Sequence, residues 1–158
     1  MALRTIRTDD DPCLYKVCKP VTKFNDRLTT LIDDLFETMK TADGAGLAAP
    51  QVGVLRRVVV IDAGEGPVEL VNPVIKLQEG LQRGYEGCLS FPGKSGYVER
   101  ADHVIVEGYD RRGRKHIYDT NGFFARAVQH ELDHLDGVVY LTRATEPPAD
   151  FVEEEGAK

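Results

Sequence analysis

The sequence predicts a single domain that mixes helix and strand, and three observations carry that prediction. Apolar residues recur at three- and four-residue steps in two separate stretches, one before residue 44 and one after residue 121. Between them lie short β-branched runs bounded by glycine and proline, including one hairpin signal. The length of 158 residues, with 42% apolar and 29% charged side chains, is that of one ordinary globular domain.

The first twenty residues, through Asp11-Pro12 and Lys19-Pro20, read as extended chain with turns. Cys13 and Cys18 lie there with four residues between them, a poor metal-knuckle spacing, and read as packed or partly exposed thiols. Leu28, Leu31, Ile32, Leu35, Phe36 and Met39 then make one helical stripe, with Asn25 as N-cap, Asp26 in the first turn and Gly44 near the stop. Gly44 to Gly53 is too small-sided to read as a packed element, and Pro50 excludes a helix running through it. It lacks the spacing of a phosphate loop, and its small residues suit the close approach of another backbone, a peptide for instance.

Arg57 to Asp62 reads as a strand, Val68 to Leu77 as two short runs broken at Asn72-Pro73, and His103 to Tyr109 with Arg114 to Asp119 as a hairpin. His103 and His116 read as sheet or surface residues. Tyr85 to Gly93 is a short run closed by a Pro-Gly turn signal. Asn121-Gly122 opens a second helix that ends at Asp136-Gly137. Val138 to Leu141 reads as a last strand, and the chain from about 145 as a frayed acidic tail.

A formal net charge of -6 argues against non-specific nucleic-acid or anionic-membrane binding, despite the local basic cluster Arg111, Arg112, Arg114 and Lys115. No stretch approaches the ~20 apolar residues of a membrane helix, and residues 1–12 have no apolar core of a secretory signal. Three cysteines suit a reducing compartment, so the cytoplasm is the expected location.

The chemistry concentrates in Gln129-His130-Glu131-Leu132-Asp133-His134. Residues four apart stack on one helix face, so His130 and His134 can bind one metal ion, and Glu131 is placed to take a proton from water activated there. The alternative is an amphipathic helix with two surface histidines. Two of only four histidines falling at this spacing, on a row shared with Phe123 and Ala127, favours an inward-facing site. Two ligands leave a catalytic site open, and Cys88, alone among the cysteines in lying between glycine- and proline-bearing turns, is the candidate third. Composition alone leaves it readable as a free buried cysteine.

Gly44-Ala45-Gly46-Leu47-Ala48-Ala49-Pro50-Gln51, Glu86-Gly87-Cys88-Leu89-Ser90 and the histidine motif occur in that order, and together they resemble the three motifs of peptide deformylase, from about Asp11 to Leu141. The resemblance implies an α+β fold with antiparallel sheets wrapped around the motif helix. It implies removal of the N-formyl group from the formyl-methionine of newly made polypeptides. Cys88, His130 and His134 would bind one divalent ion, Fe(II) first, with Zn(II), Ni(II) or Co(II) also accepted. Glu131 would be base and then acid, and Gln51 with the Leu89 backbone N–H would hold the oxyanion. Gly46 and its neighbours would pair with the substrate backbone, with Gly87 also against the substrate. Ala45, Phe123 and Ala127 would wall an apolar pocket for the methionine side chain. Glu86 and Arg100 would form an ion pair behind Cys88.

Two departures stand out. Ala45 occupies a position where the family more often has a larger aliphatic residue, which implies a wider pocket. The acidic tail offers no basic helix of the kind some members dock on the ribosome, so ribosome contact is left open. The competing readings are a deacylase of another small N-acyl group, a non-catalytic peptide-binding relative, and a zinc peptidase with Glu146 as a downstream ligand.

Overall fold

The computed structural model of the protein describes residues 2–153. Helix α1, Asp26–Thr41, forms where the apolar stripe runs. The Asn25 side chain accepts the Leu28 N–H at 3.3 Å, and Leu28, Leu31, Ile32, Leu35 and Met39 are buried. Asp43, at φ 58°, takes the left-handed position that ends it, and the Gly44 N–H returns to the Met39 carbonyl.

Five antiparallel strands form the main sheet in the order β1 (Gly46–Ala48), β2 (Val58–Asp62), β3 (Pro67–Glu79), β6 (His103–Tyr109) and β7 (Lys115–Asn121). The unbroken valine run of β2 follows from burial on both faces. Val58 and Val60 pack with α1, while Val59 and Ile61 pack with helix α2, Gly122–Leu135. Ala125, Val128 and Leu135 of α2 are fully buried against that second face, about 1.5–3 kcal/mol for each large side chain. A separate hairpin, β4 (Gln82–Glu86) with β5 (Gly96–Arg100), lies with short helix α3 (Tyr140–Arg143) over a third cluster of Leu14, Phe91, Val98, Val139 and Tyr140. The motif helix is therefore packed between antiparallel sheets, as the resemblance implied. Among the described residues no helix is long and apolar enough to cross a membrane.

Several expectations need correction. Gly44 to Gly53 is a packed element: β1 is followed by a 3-10 turn, Ala49–Val52, and Leu47, Ala48 and Ala49 are fully buried. The expected break at Asn72-Pro73 is a bulge within one long strand. Asn72 sits at φ 51°, its side chain bonds both the N–H and carbonyl of Val21, and the register with β6 shifts there. Val138 to Leu141 is not a strand. Val139 is extended, but Tyr140 starts α3 because its ring is buried between His130 and Phe91. Of the tail from about 145, Phe151 packs on Tyr97, and the acidic end at 154–158 lies outside the described residues. In the basic cluster, Arg111 is paired with Glu69 and Asp33, and Lys115 with Glu107.

Candidate metal centre and peptide cavity

Helix α2 sets His130 and His134 one turn apart, ring centroids at 5.2 Å, both buried. Cys88 reaches them from the turn after β4, which is closed by the Phe91 N–H on the Cys88 carbonyl. Its Sγ lies 3.4 Å from His134 Nε2, and the three potential ligand atoms are all within 4.8 Å of one another. Ligands of this type about a common tetrahedral ion would stand about 3.5 Å apart, so the donor set fits a single metal ion.

The surroundings hold the donors in place. His130 Nδ1 bonds Glu86 Oε1 at 2.8 Å, which turns the other ring nitrogen toward Cys88. Tyr140 stacks on the His130 ring. Glu86 is clasped by Arg100 through two bonds of 2.8 and 2.9 Å and by Arg126 Nη1 at 2.5 Å, and Arg100 also donates to Asp133 at 2.7 Å. Burial works to raise the Glu86 carboxyl pKa, but hydrogen bonds from Arg100 and His130 outweigh it and hold the group well below the usual carboxylate range. The Glu86–Arg100 pair expected from the resemblance is thus present.

Glu131, on the helical step after His130, is buried, and its Oε1 has no hydrogen-bond partner among the described residues. Burial pushes its carboxyl up to about 7, the range suited to a group that both takes and returns a proton. Gly46 of the edge strand lies directly against it: a Cβ there would fall 2.5 Å from Glu131 Oε2. Gln51 is buried with its Oε1 accepting the Ala48 N–H at 2.9 Å. That bond aims Nε2 at Ser90 Oγ, 3.1 Å away, and toward Cys88 Sγ at 3.5 Å. The N-terminal segment ties the two loops together, with the Arg7 N–H on the Gln51 carbonyl and the Asp9 N–H on that of Ser90.

These groups border one cavity of about 620 Å³. Ala45, Gly46 and Gln51 line it from the β1 side, and Gly87, Cys88 and Leu89 from the loop. Phe123, Ala127, His130 and Glu131 line it from α2. His134 lies behind that surface, almost wholly buried, and joins the group through Cys88. Sequence reasoning missed Ser90, Arg126 and Tyr140. Only Arg126 carried a signal, a charge one helical turn before His130 on the face that also holds Phe123 and Ala127.

Two histidines one helical turn apart, a facing cysteine and a buried unpartnered carboxylate make the donor set of a mononuclear metal-dependent hydrolase. The sequence model of polypeptide deformylase matches residues 3–149. The chain is 53% identical over 143 residues to a peptide deformylase of Alkaliphilus metalliredigens, covering 90% of this chain and 97% of that one. It is 52% identical over 155 residues to one from Caldicellulosiruptor bescii, covering 98% and 91%. The crystal structure of peptide deformylase from Thermotoga maritima superposes with a TM-score of 0.90 at 41% identity, over 92% of this chain and all of that one. The chain belongs to the polypeptide deformylase family.

Proposed function

We propose that the protein is a metal-dependent amide hydrolase that removes the N-formyl group from the formyl-methionine of newly made polypeptides, releasing formate. The observation that carries this reading is the meeting of three metal donors and an unpartnered buried carboxylate in a cavity walled by the open edge of β1. Residues 1–158 are read as one catalytic domain acting in the cytoplasm.

Cys88, His130 and His134 would hold the ion, with Fe(II) the first choice and Zn(II), Ni(II) or Co(II) able to replace it. When bound, such an ion supplies Lewis acidity, making water nucleophilic near neutral pH. Glu131 takes the proton that water gives up and returns it to the departing amine, a transfer suited to its raised pKa. Gln51 Nε2 and the Leu89 N–H hold the charge that grows on the formyl oxygen, and loss of one such donor costs roughly a hundredfold. The Gln51 amide is already oriented by Ala48, so little reorganisation is needed. Gly46 and Gly87 leave backbone exposed for an extended peptide to pair with, the geometry of strand addition. Ala45, Phe123 and Ala127 wall the methionine side chain.

The test is formate release from a formyl-Met tripeptide beside amine release from its acetyl analogue, both with nickel-loaded protein. Turnover of the formyl peptide alone supports the reading. Equal turnover of both would replace it with a broader deacylase, and no turnover with one metal bound per chain would leave a peptide-binding relative.

A further inference from the structure

The segment 150–153 lies just past residues 3–149, the stretch that the family's sequence model matches, and it adds a wall to the cavity. The Thr145 N–H bonds the Tyr97 carbonyl beside β5, and the Phe151 N–H bonds the Pro148 carbonyl, turning the chain back on itself. Phe151 then meets Tyr97 edge-on at 4.9 Å and Tyr85 at 5.9 Å. The Arg83 guanidinium lies 5.8 Å over its ring and pairs with Asp150 at 3.6 Å. This aromatic anchor carries Glu153 onto the lining of the cavity that holds Cys88, His130 and Glu131.

The charges around that cavity do not balance at its mouth. Inside, Arg126 is paired with Glu86, and at the rim Lys94 is paired with Asp9 at 3.5 Å. Asp43 and Glu153 line the same cavity, are exposed, and have no ion pair among the described residues. An extended peptide advances about 3.3 Å per residue, so the second and third residues after methionine would leave a cavity of this size through its rim. A charge there acts on approach and register more than on the bond being broken.

We propose that Glu153 is a specificity residue that favours formyl-methionyl peptides with Lys or Arg, and disfavours those with Asp or Glu, shortly after the methionine. This rests on the deformylase reading. The deciding experiment measures kcat/KM for formate release from formyl-Met-Ala-Lys and formyl-Met-Ala-Glu amides. It uses the full-length protein, Glu153→Lys, and Glu65→Lys as control. Glu65 is exposed between two glycines and does not line that cavity, so it gives the same change in net charge elsewhere.

At low salt the unmodified protein should favour the lysine peptide by roughly three- to tenfold, and about 0.5 M salt should erase the preference. Glu153→Lys should abolish or invert it, while Glu65→Lys should keep it. No preference in the unmodified protein, an unchanged preference in Glu153→Lys, or an equal loss in Glu65→Lys would each overturn the assignment. Absence of formate from both peptides would instead overturn the deformylase reading on which it depends.

Discussion

Gly46→Ala is the perturbation with the clearest geometric consequence. The new Cβ would fall 2.5 Å from Glu131 Oε2 and 2.9 Å from its Cδ and Cγ, and neither side can yield freely. Glu131 is on a buried helix, and Gly46 is paired with Ile61 of β2. Relief to ordinary carbon contact requires about 1 Å of movement. A displacement of that size at a reacting group costs about a hundredfold in rate. The same overpacking should cost about 1–3 kcal/mol of stability, or a melting temperature lower by ~2–4 °C per kcal/mol at this chain length. The assay is kcat/KM for formate release alongside a thermal melt. The expected pattern is a large loss of activity in a protein that still folds. Activity within about threefold of the unmodified protein would refute the argument that the carboxylate's position is set by this contact.

Other consequences follow from the same structure. Glu86→Gln strips the charge that Arg100, Arg126 and His130 share, so stability should fall by about 3–5 kcal/mol and metal affinity by ~10–100-fold; a melt and a competitive metal titration read the two effects. Asp110 titrates low, at about 2, because His116 and the N–H groups of Arg114 and Arg112 outweigh the effect of its burial. The stability it contributes is present above its ordinary value of 3.8 and is lost as pH falls toward 2, so Asp110→Asn should flatten the acid limb of a melting-temperature profile between those values. Parallel profiles would contradict that. If Fe(II) is the resident ion, activity should decay in air through oxidation of Cys88 and persist in the nickel form; equal lifetimes would count against it.

How much of this was legible in the sequence depended on whether apolar periodicity or polar pairing builds the element. Helix α1 and strand β2 were readable because Leu28 to Met39 and Val58 to Ile61 are ordered by burial alone. The β4–β5 hairpin was not, because Gln82-Arg83-Gly84-Tyr85-Glu86 carries no apolar alternation. Its buried ends are Glu86 and Arg100, joined by charge. The Asn72 bulge looked like a break because its backbone strain is offset by Val21, which lies far away in sequence. Val138-Val139 suggested a strand on propensity, and the burial of Tyr140 decided otherwise. At the site, the histidines were visible by spacing and Cys88 by its turn. Ser90 and Tyr140 arrive through tertiary packing with no local pattern to announce them, and Arg126 was marked only by its place one helical turn before His130.

The most direct test of the central claim is Glu131→Gln, with metal content and formate release measured on the same preparation. The expected result is one ion per chain still held by Cys88, His130 and His134, with turnover reduced by about 10²–10⁴-fold because the proton carrier is gone. Turnover retained within about tenfold while the ion remains bound would remove Glu131 from its proposed role and contradict the mechanism.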